Sequence, residues 1–208
     1  MESPGWERLQ SPVSSGRRSE AGFNATISNC PMPIAKTEVQ SVLLNAQTIK
    51  RRVRSLGKEI TRDYNGRSPI LIGVLRGAAV FLSDLIRHIN LELEVDFIAL
   101  SSYGSATETS GQVQLVKDLE SSIDGRDVIL VEDIVDTGLT LNYLVSNLKT
   151  RNPASLSVCV LLSKPSRRKV EINIDYLGFE VPDSFVVGYG LDFDQQFRNL
   201  PYIGVLEG

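Results

Sequence analysis

The apolar positions of this chain fall into short unbroken runs, separated by stretches in which they recur every three or four residues. Residues 70–75 (Ile-Leu-Ile-Gly-Val-Leu), 127–131 after its opening Asp127, and 156–162 with Ser157 as its one polar residue are such runs, each bounded by charged or turn-forming residues. They are too short for helices buried on all sides, so they read as strands covered on both faces. Residues 93–100 begin in alternation and end apolar, which predicts another strand. Shorter candidates lie at 112–116, 175–179, 185–187 and 203–206. Between the runs, Val39, Leu43, Ile49, Val53, Leu56 and Ile60 recur at helical spacing among charges. They predict one long amphipathic helix from about Lys36, with a break at Gly57. Phe81, Leu82, Leu85 and Ile86 predict a helix over 78–89, and a third follows over 138–148. Strands alternating with helices imply an α/β fold whose open, mostly parallel sheet carries helices on its faces. The chain shows no internal repeat.

Composition changes this picture at one end. Residues 1–35 hold six serines, four prolines and the only tryptophan, Trp6. Such a segment buries too little to offset its chain entropy, so it is expected to be a flexible arm ahead of a domain over 36–208. Met32, followed by Pro33, offers an alternative start. The formal charge of -3 exerts no general pull on nucleic acid; the one basic cluster is Lys164, Arg167, Arg168 and Lys169. Cys30 and Cys159 are far apart, and Cys159 sits inside an apolar run, so a disulfide framework and a zinc site are excluded and a buried thiol is expected. The single histidine, His88, excludes imidazole-rich metal chemistry and is expected to face solvent near a helix end. No run reaches the ~20 apolar residues that span a bilayer, and charges interrupt the N-terminus, so no membrane association and a cytoplasmic location are expected.

The chemistry concentrates at the end of the run from residue 128. Glu132-Asp133 is followed at once by Ile134-Val135-Asp136-Thr137-Gly138-Leu139-Thr140, where the chain turns into a helix. Open α/β sheets bind ligands at the carbonyl ends of their parallel strands. A turn at a helix N-terminus offers free backbone N–H groups and two hydroxyls, which suits a phosphate monoester. The carboxylates just upstream suit sugar hydroxyls or a hard divalent cation. Val74-Leu75-Arg76-Gly77-Ala78 is a second strand-to-helix junction of the anion-binding kind.

These segments resemble the phosphoribosyl pyrophosphate motif of type I phosphoribosyltransferases and, more closely, the hypoxanthine-guanine phosphoribosyltransferase family. The similarity runs from about Lys36 to the C-terminus. The resemblance implies the type I phosphoribosyltransferase fold, with a twisted sheet and a small hood formed by the N-terminal helix region and about 165–208. It implies Glu132 and Asp133 at the ribose hydroxyls and a Mg²⁺ ion, Asp136 beside purine N7 as the proton donor or acceptor, and residues Asp136, Thr137, Gly138, Leu139 and Thr140 around the 5′-phosphate. Arg76 and Gly77 would bind pyrophosphate through the backbone, in a loop that often has a non-proline cis peptide; many members carry Lys where this chain has Arg76. Ser102 and Tyr103 in Ser101-Ser102-Tyr103-Gly104 match the start of a lid over pyrophosphate, closing a reactive C1′ from water. Lys164 would donate to purine O6. In Phe185-Val186-Val187-Gly188-Tyr189-Gly190-Leu191-Asp192, Phe185 would stack on the base, the Val186 backbone would read its edge, and Asp192 would serve both the purine site and the metal. Arg198 would approach pyrophosphate.

The implied reaction joins hypoxanthine or guanine to phosphoribosyl pyrophosphate in a homodimeric or homotetrameric enzyme. Three alternatives stay open on sequence. One is a xanthine- or guanine-preferring relative. A second is an RNA-binding regulator on the same fold, whose basic face would have to come from Arg167-Arg168-Lys169. A third is a catalytically inert paralogue, against which the intact Glu132, Asp133, Asp136, Lys164 and Asp192 speak.

Overall fold

A computed structural model describes residues 39–102 and 113–206. The arm expected over 1–35 and the loop beginning at Tyr103 lie outside these residues, and for Ser102 only the backbone is described. Six strands form the central sheet: β2 (Ile70–Leu75), β3 (Glu94–Ser102), β4 (Val113–Lys117), β5 (Asp127–Val135), β6 (Ser155–Ser163) and β7 (Tyr176–Glu180), in the order β4-β3-β2-β5-β6-β7. All neighbours run parallel except β4, which pairs antiparallel with β3. The chain winds from β2 outward to β3 and β4, then returns to place β5 on the other side of β2. The winding order therefore reverses between the parallel strands β2 and β5, where an open α/β sheet leaves a crevice at its carbonyl edge.

Burial on both faces explains the unbroken apolar runs. Leu71, Ile129, Val131, Cys159 and Leu161 pack with α1 (Ala46–Asp63) and α2 (Ala78–Ile86), while Ile70, Ile72, Val128, Leu130, Val158 and Val160 pack with α3 (Leu139–Lys149) on the opposite side. The α1 stripe Ile49, Val53, Leu56 and Ile60 is buried as its spacing predicts.

A second, three-stranded antiparallel sheet of order β1-β9-β8 is built from β1 (Val39–Leu44), β8 (Val186–Val187) and β9 (Ile203–Leu206). Here the sequence reading of one helix from Lys36 is corrected. Val39–Leu44 is extended and pairs with β9, and the helix starts only after Asn45, whose side chain accepts from the Thr48 N–H at 2.9 Å as an N-cap. Nor does α1 break at Gly57. That glycine is there for space, since a Cβ would lie 2.6 Å from His88 Cβ at the end of α2. His88 is accordingly half-buried rather than free in solvent, and α2 stops at Ile86. No helix among the described residues is long and apolar enough to cross a membrane.

Candidate active site

Strand β5 runs further than its apolar residues suggest: Glu132 and Asp133 are still in the sheet, paired alongside β6, and the turn begins only after Val135. In that turn Gly138 has φ +85°, a left-handed conformation that a side chain would resist, and its carbonyl accepts from the Asn142 N–H at 2.9 Å to start α3. Thr137 Oγ1 accepts from the Leu139 N–H at 3.4 Å, and Leu139 and Thr140 open the helix on its exposed side. This places free N–H groups and the positive end of the helix dipole one turn from Asp136.

Across the switch point, the Leu75–Arg76 peptide is cis and Gly77 begins α2. Gly77 lies against Asp133 so closely that a Cβ there would stand 1.6 Å from Asp133 Oδ2. Arg76 Nη1 and Arg198 Nη2 both donate to Gln195 Oε1, at 2.9 and 3.3 Å, so two guanidinium groups converge beside this loop. Arg198 also pairs with Asp192 Oδ1 at 2.7 Å, and Asp192 Oδ2 accepts from the Gln195 N–H at 2.9 Å.

A cleft of about 640 Å³ opens along this edge. Asp133, Asp136, Lys164, Phe185, Val186 and Asp192 all line it. Lys164 follows directly on β6, its backbone N–H donating to Val135 O at 2.9 Å, and only 7% of the residue is exposed. Val186 is buried in the three-stranded sheet, whereas Phe185 is 50% exposed to the cleft, a large apolar surface left open where a flat ligand could stack. Glu132, Arg76, Arg198 and the 137–140 turn stand just beyond this lining. Ser102 ends β3, and Tyr103 falls outside the described residues.

The carboxylates of β5 are held at an electrostatic cost. Burial pushes the Asp133 carboxyl up to about 6, against hydrogen bonds from backbone N–H groups, and the neighbouring Asp192 adds to the rise. Burial, then the Asp133 charge, raises Glu132 well above the usual carboxylate range, and its Oε2 is buried with no hydrogen-bond partner. Orphaned oxygens beside crowded carboxylates fit a hard cation. Among the described residues, no three His, Cys, Asp or Glu side chains are grouped as a closed metal cage. A magnesium-type site takes one or two carboxylates and completes its shell from substrate phosphates and water.

Several residues of the site are not evident in the sequence motifs. Phe193 packs edge-on against Phe185, with ring centroids 5.5 Å apart. Asp183 also lines the cleft, beside Leu191 of the segment that ends at Asp192. Arg167, one of the basic cluster noted in the sequence, lines the cleft as well. Its Nε lies 2.7 Å from Asp136 Oδ1 and its Nη1 donates to Asp183 Oδ1 at 3.3 Å. Arg168 Nη2 donates to Ser163 Oγ at 2.7 Å. Arg167 and Arg168 are thus both engaged within the chain. The proximity of a late aromatic to Phe185 and of an acid to an arginine turn was readable only as composition.

Comparison with known proteins agrees with this geometry. The family pattern of the phosphoribosyl transferase domain matches residues 39–194. The hypoxanthine-guanine phosphoribosyltransferase of Bacillus subtilis (strain 168) is 51% identical over 172 residues, covering 83% of this chain and 96% of that protein. The enzyme of the same name from Mycobacterium avium is 49% identical over 183 residues, covering 85% and 90%. Among solved structures, a hypoxanthine phosphoribosyltransferase from Staphylococcus aureus superposes with a TM-score of 0.79 at 45% identity, covering 84% of this chain and 95% of that one. On these matches the chain belongs to the phosphoribosyltransferase family and is an enzyme of that family.

Proposed function

We propose that this phosphoribosyltransferase works in purine salvage, moving the 5-phosphoribosyl group of phosphoribosyl pyrophosphate to hypoxanthine or guanine and giving IMP or GMP with pyrophosphate. The observation that carries the reading is one cleft lined by Asp133, Asp136, Lys164, Phe185, Val186 and Asp192, with two anion-binding turns, at Arg76–Gly77 and Thr137–Thr140, at the ends of the neighbouring strands β2 and β5.

On this reading the N–H groups of Thr137, Gly138, Leu139 and Thr140 hold the 5′-phosphate, and Glu132 and Asp133 accept from the ribose hydroxyls. The backbone at Arg76 and Gly77, with Arg198, receives the pyrophosphate. The family uses a divalent metal for phosphoribosyl pyrophosphate; here the ion would be Mg²⁺, held by one or two carboxylates from among Glu132, Asp133 and Asp192, and when bound it would neutralise charge on the leaving group. Phe185 stacks on the base and the Val186 backbone reads its edge. The N9 electron pair forms the bond to C1′ as the C1′–oxygen bond to pyrophosphate breaks, and the N7 proton passes to Asp136. Electrostatic stabilisation of the departing pyrophosphate is expected to lower the barrier more than any other effect. Lys164 donates to O6 and has no acceptor, so it selects a 6-oxo over a 6-amino base. Ser102 and Tyr103 cover the pyrophosphate during the reaction.

The same reading takes residues 1–35 as an arm and 36–208 as the catalytic domain, with the β1-β9-β8 sheet as its hood. It places the enzyme in the cytoplasm as a homodimer or homotetramer.

A spectrophotometric assay with Mg²⁺, phosphoribosyl pyrophosphate and each of hypoxanthine, guanine, xanthine and adenine tests it. Hypoxanthine and guanine are expected to turn over, and Asp136→Asn to lose roughly 10²–10⁴-fold in kcat. Adenine turned over as fast as hypoxanthine would overturn the role of Lys164. Substrate binding without turnover of any base would leave the phosphate site and remove the purine assignment.

A further inference from the structure

We propose that Arg167 is the positioning residue of Asp136, clamping one carboxylate oxygen so that the other is presented to the purine, and tying that carboxylate to the wall that carries Phe185. Resting on the assignment of Asp136 to purine N7, it adds a residue outside the sequence segments from which that assignment came.

The acids around the cleft are held in place by different means. Asp133 Oδ1 accepts from the Ile134 N–H at 2.7 Å, and Asp192 Oδ2 accepts from the Gln195 N–H at 2.9 Å. Backbone amides fix both side chains. Asp136 sits on the turn beyond β5, and its Oδ1 is buried with no hydrogen bond. Its close ionic neighbour is Arg167 Nε at 2.7 Å, an ion pair whose N–H is not aimed at the oxygen. Yet 40% of the Asp136 side chain remains exposed. With Oδ1 covered by the guanidinium, the open side of this carboxylate is the other oxygen, on the cleft.

Arg167 is itself anchored at two further points. Its backbone N–H donates to Lys164 O at 3.2 Å, closing the short turn Pro165–Arg167 after β6. Its Nη1 donates to Asp183 Oδ1 at 3.3 Å, two residues before Phe185. One planar cation therefore links the proton-handling group, the turn that follows the O6 donor, and the segment that stacks on the base. A guanidinium suits this task because its fork of donors is rigid and stays charged. The spacing between Asp136, Lys164 and Phe185 decides whether a 6-oxopurine can meet all three at once, and a misplacement of about 1 Å can lower turnover by about 10²-fold.

The ion pairs are about half-exposed, with side-chain exposures of 46% for Arg167, 40% for Asp136 and 50% for Asp183. Pairs of this kind add little to folding stability. Catalytic and structural roles are separable for that reason.

The experiment compares Arg167→Gln, Arg167→Lys, Asp136→Asn and the double variant Arg167→Gln/Asp136→Asn in the full chain, by steady-state kinetics and thermal unfolding. Arg167→Gln is expected to lower kcat/KM for hypoxanthine by about 10- to 100-fold. The KM for phosphoribosyl pyrophosphate should stay within about twofold, and Tm within about 2 °C. Arg167→Lys should recover part of the loss, because a charge is restored without the fork. Once Asp136 is Asn, losing Arg167 should have no further effect, since a residue acting through another is not additive with it. The proposal is overturned by Arg167→Gln with kcat/KM within about threefold of the parent, by faster turnover of that variant, or by additive losses in the double variant. An inactive Asp136→Asn beside an unimpaired Arg167→Gln removes only this inference; an active Asp136→Asn removes the reading of Asp136, and this one with it.

Discussion

Replacing Gly77 by alanine separates the stability of the fold from the geometry of the site. Gly77 has φ -62° and ψ -41°, an ordinary helical conformation, so alanine needs no change of backbone. On that ground alone the substitution would stabilise the protein by about 0.4–1 kcal/mol, through the unfolded chain. The space is the obstacle. The new Cβ would sit 1.6 Å from Asp133 Oδ2 and 2.5 Å from its Cγ, where real contacts begin near 3.0 Å. The carboxylate oxygen must therefore retreat by at least about 1.4 Å. Overpacking of this kind costs about 1–3 kcal/mol, which leaves a net loss of roughly 0–2.5 kcal/mol after the chain-entropy gain. At about 2–4 °C per kcal/mol for a domain of this size, Tm should fall by no more than about 10 °C. Activity should suffer far more, because the displaced group is assigned to the ribose and the metal. A shift beyond 1 Å is expected to lower kcat/KM for phosphoribosyl pyrophosphate by about 10²-fold or more. Melting followed by circular dichroism, and steady-state assays with varied phosphoribosyl pyrophosphate at saturating hypoxanthine, give both numbers. Retention of kcat/KM within about threefold would refute the link between this close approach and catalysis.

Three further outcomes are expected. Burial holds the Asp133 carboxyl at about 6, above its ordinary 3.8, so the folded chain keeps a proton that the unfolded chain has already released, and metal-free stability should decline as pH rises from about 4 to about 6. Urea unfolding should find Asp133→Asn more stabilising at pH 7 than at pH 5; the opposite order would contradict the sign. Leu144, fully buried on the α3 face, should cost about 2–5 kcal/mol when cut to alanine, read as a lower urea midpoint at unchanged slope. Cys159 is buried and its thiol is pushed upward by burial, so in a Cys30→Ser background the native protein should resist thiol reagents and react only on unfolding.

The central sheet and the phosphate turns could be read from the chain because both are local in origin. Parallel strands covered on two faces must be apolar throughout, and the strand-end motif from Glu132 to Thr140 is contiguous. The hood was less legible. Val39 and Leu43 stand four apart, as on a helix, and only pairing with β9 makes them a strand. Asn45 with Thr48 was a usable capping signal that the longer periodicity masked. Strand β5 was cut short at Val131 because carboxylates look like loop, although polar residues belong at the end of a central strand that faces ligand. Arg167 could not be told from Arg168 and Lys169 by sequence; its direction depends on the turn after β6 and on where Asp136 ends up.

The order β1-β9-β8 has a consequence for how the protein is made. The strand that lies in the middle of the small sheet is the last of the described strands to leave the ribosome, and both its neighbours wait for it. All six strands of the central sheet, with both anion turns, are complete by residue 180 and can pair first, since domains tend to form from the N-terminal side during synthesis. The wall behind Phe185 and Val186 acquires its backing only when residues 203–206 arrive. Chains cut short by even those few residues would therefore carry a formed phosphate half without a formed nucleobase half, so the clasp of β9 between β1 and β8 makes capture of a base the final event of maturation.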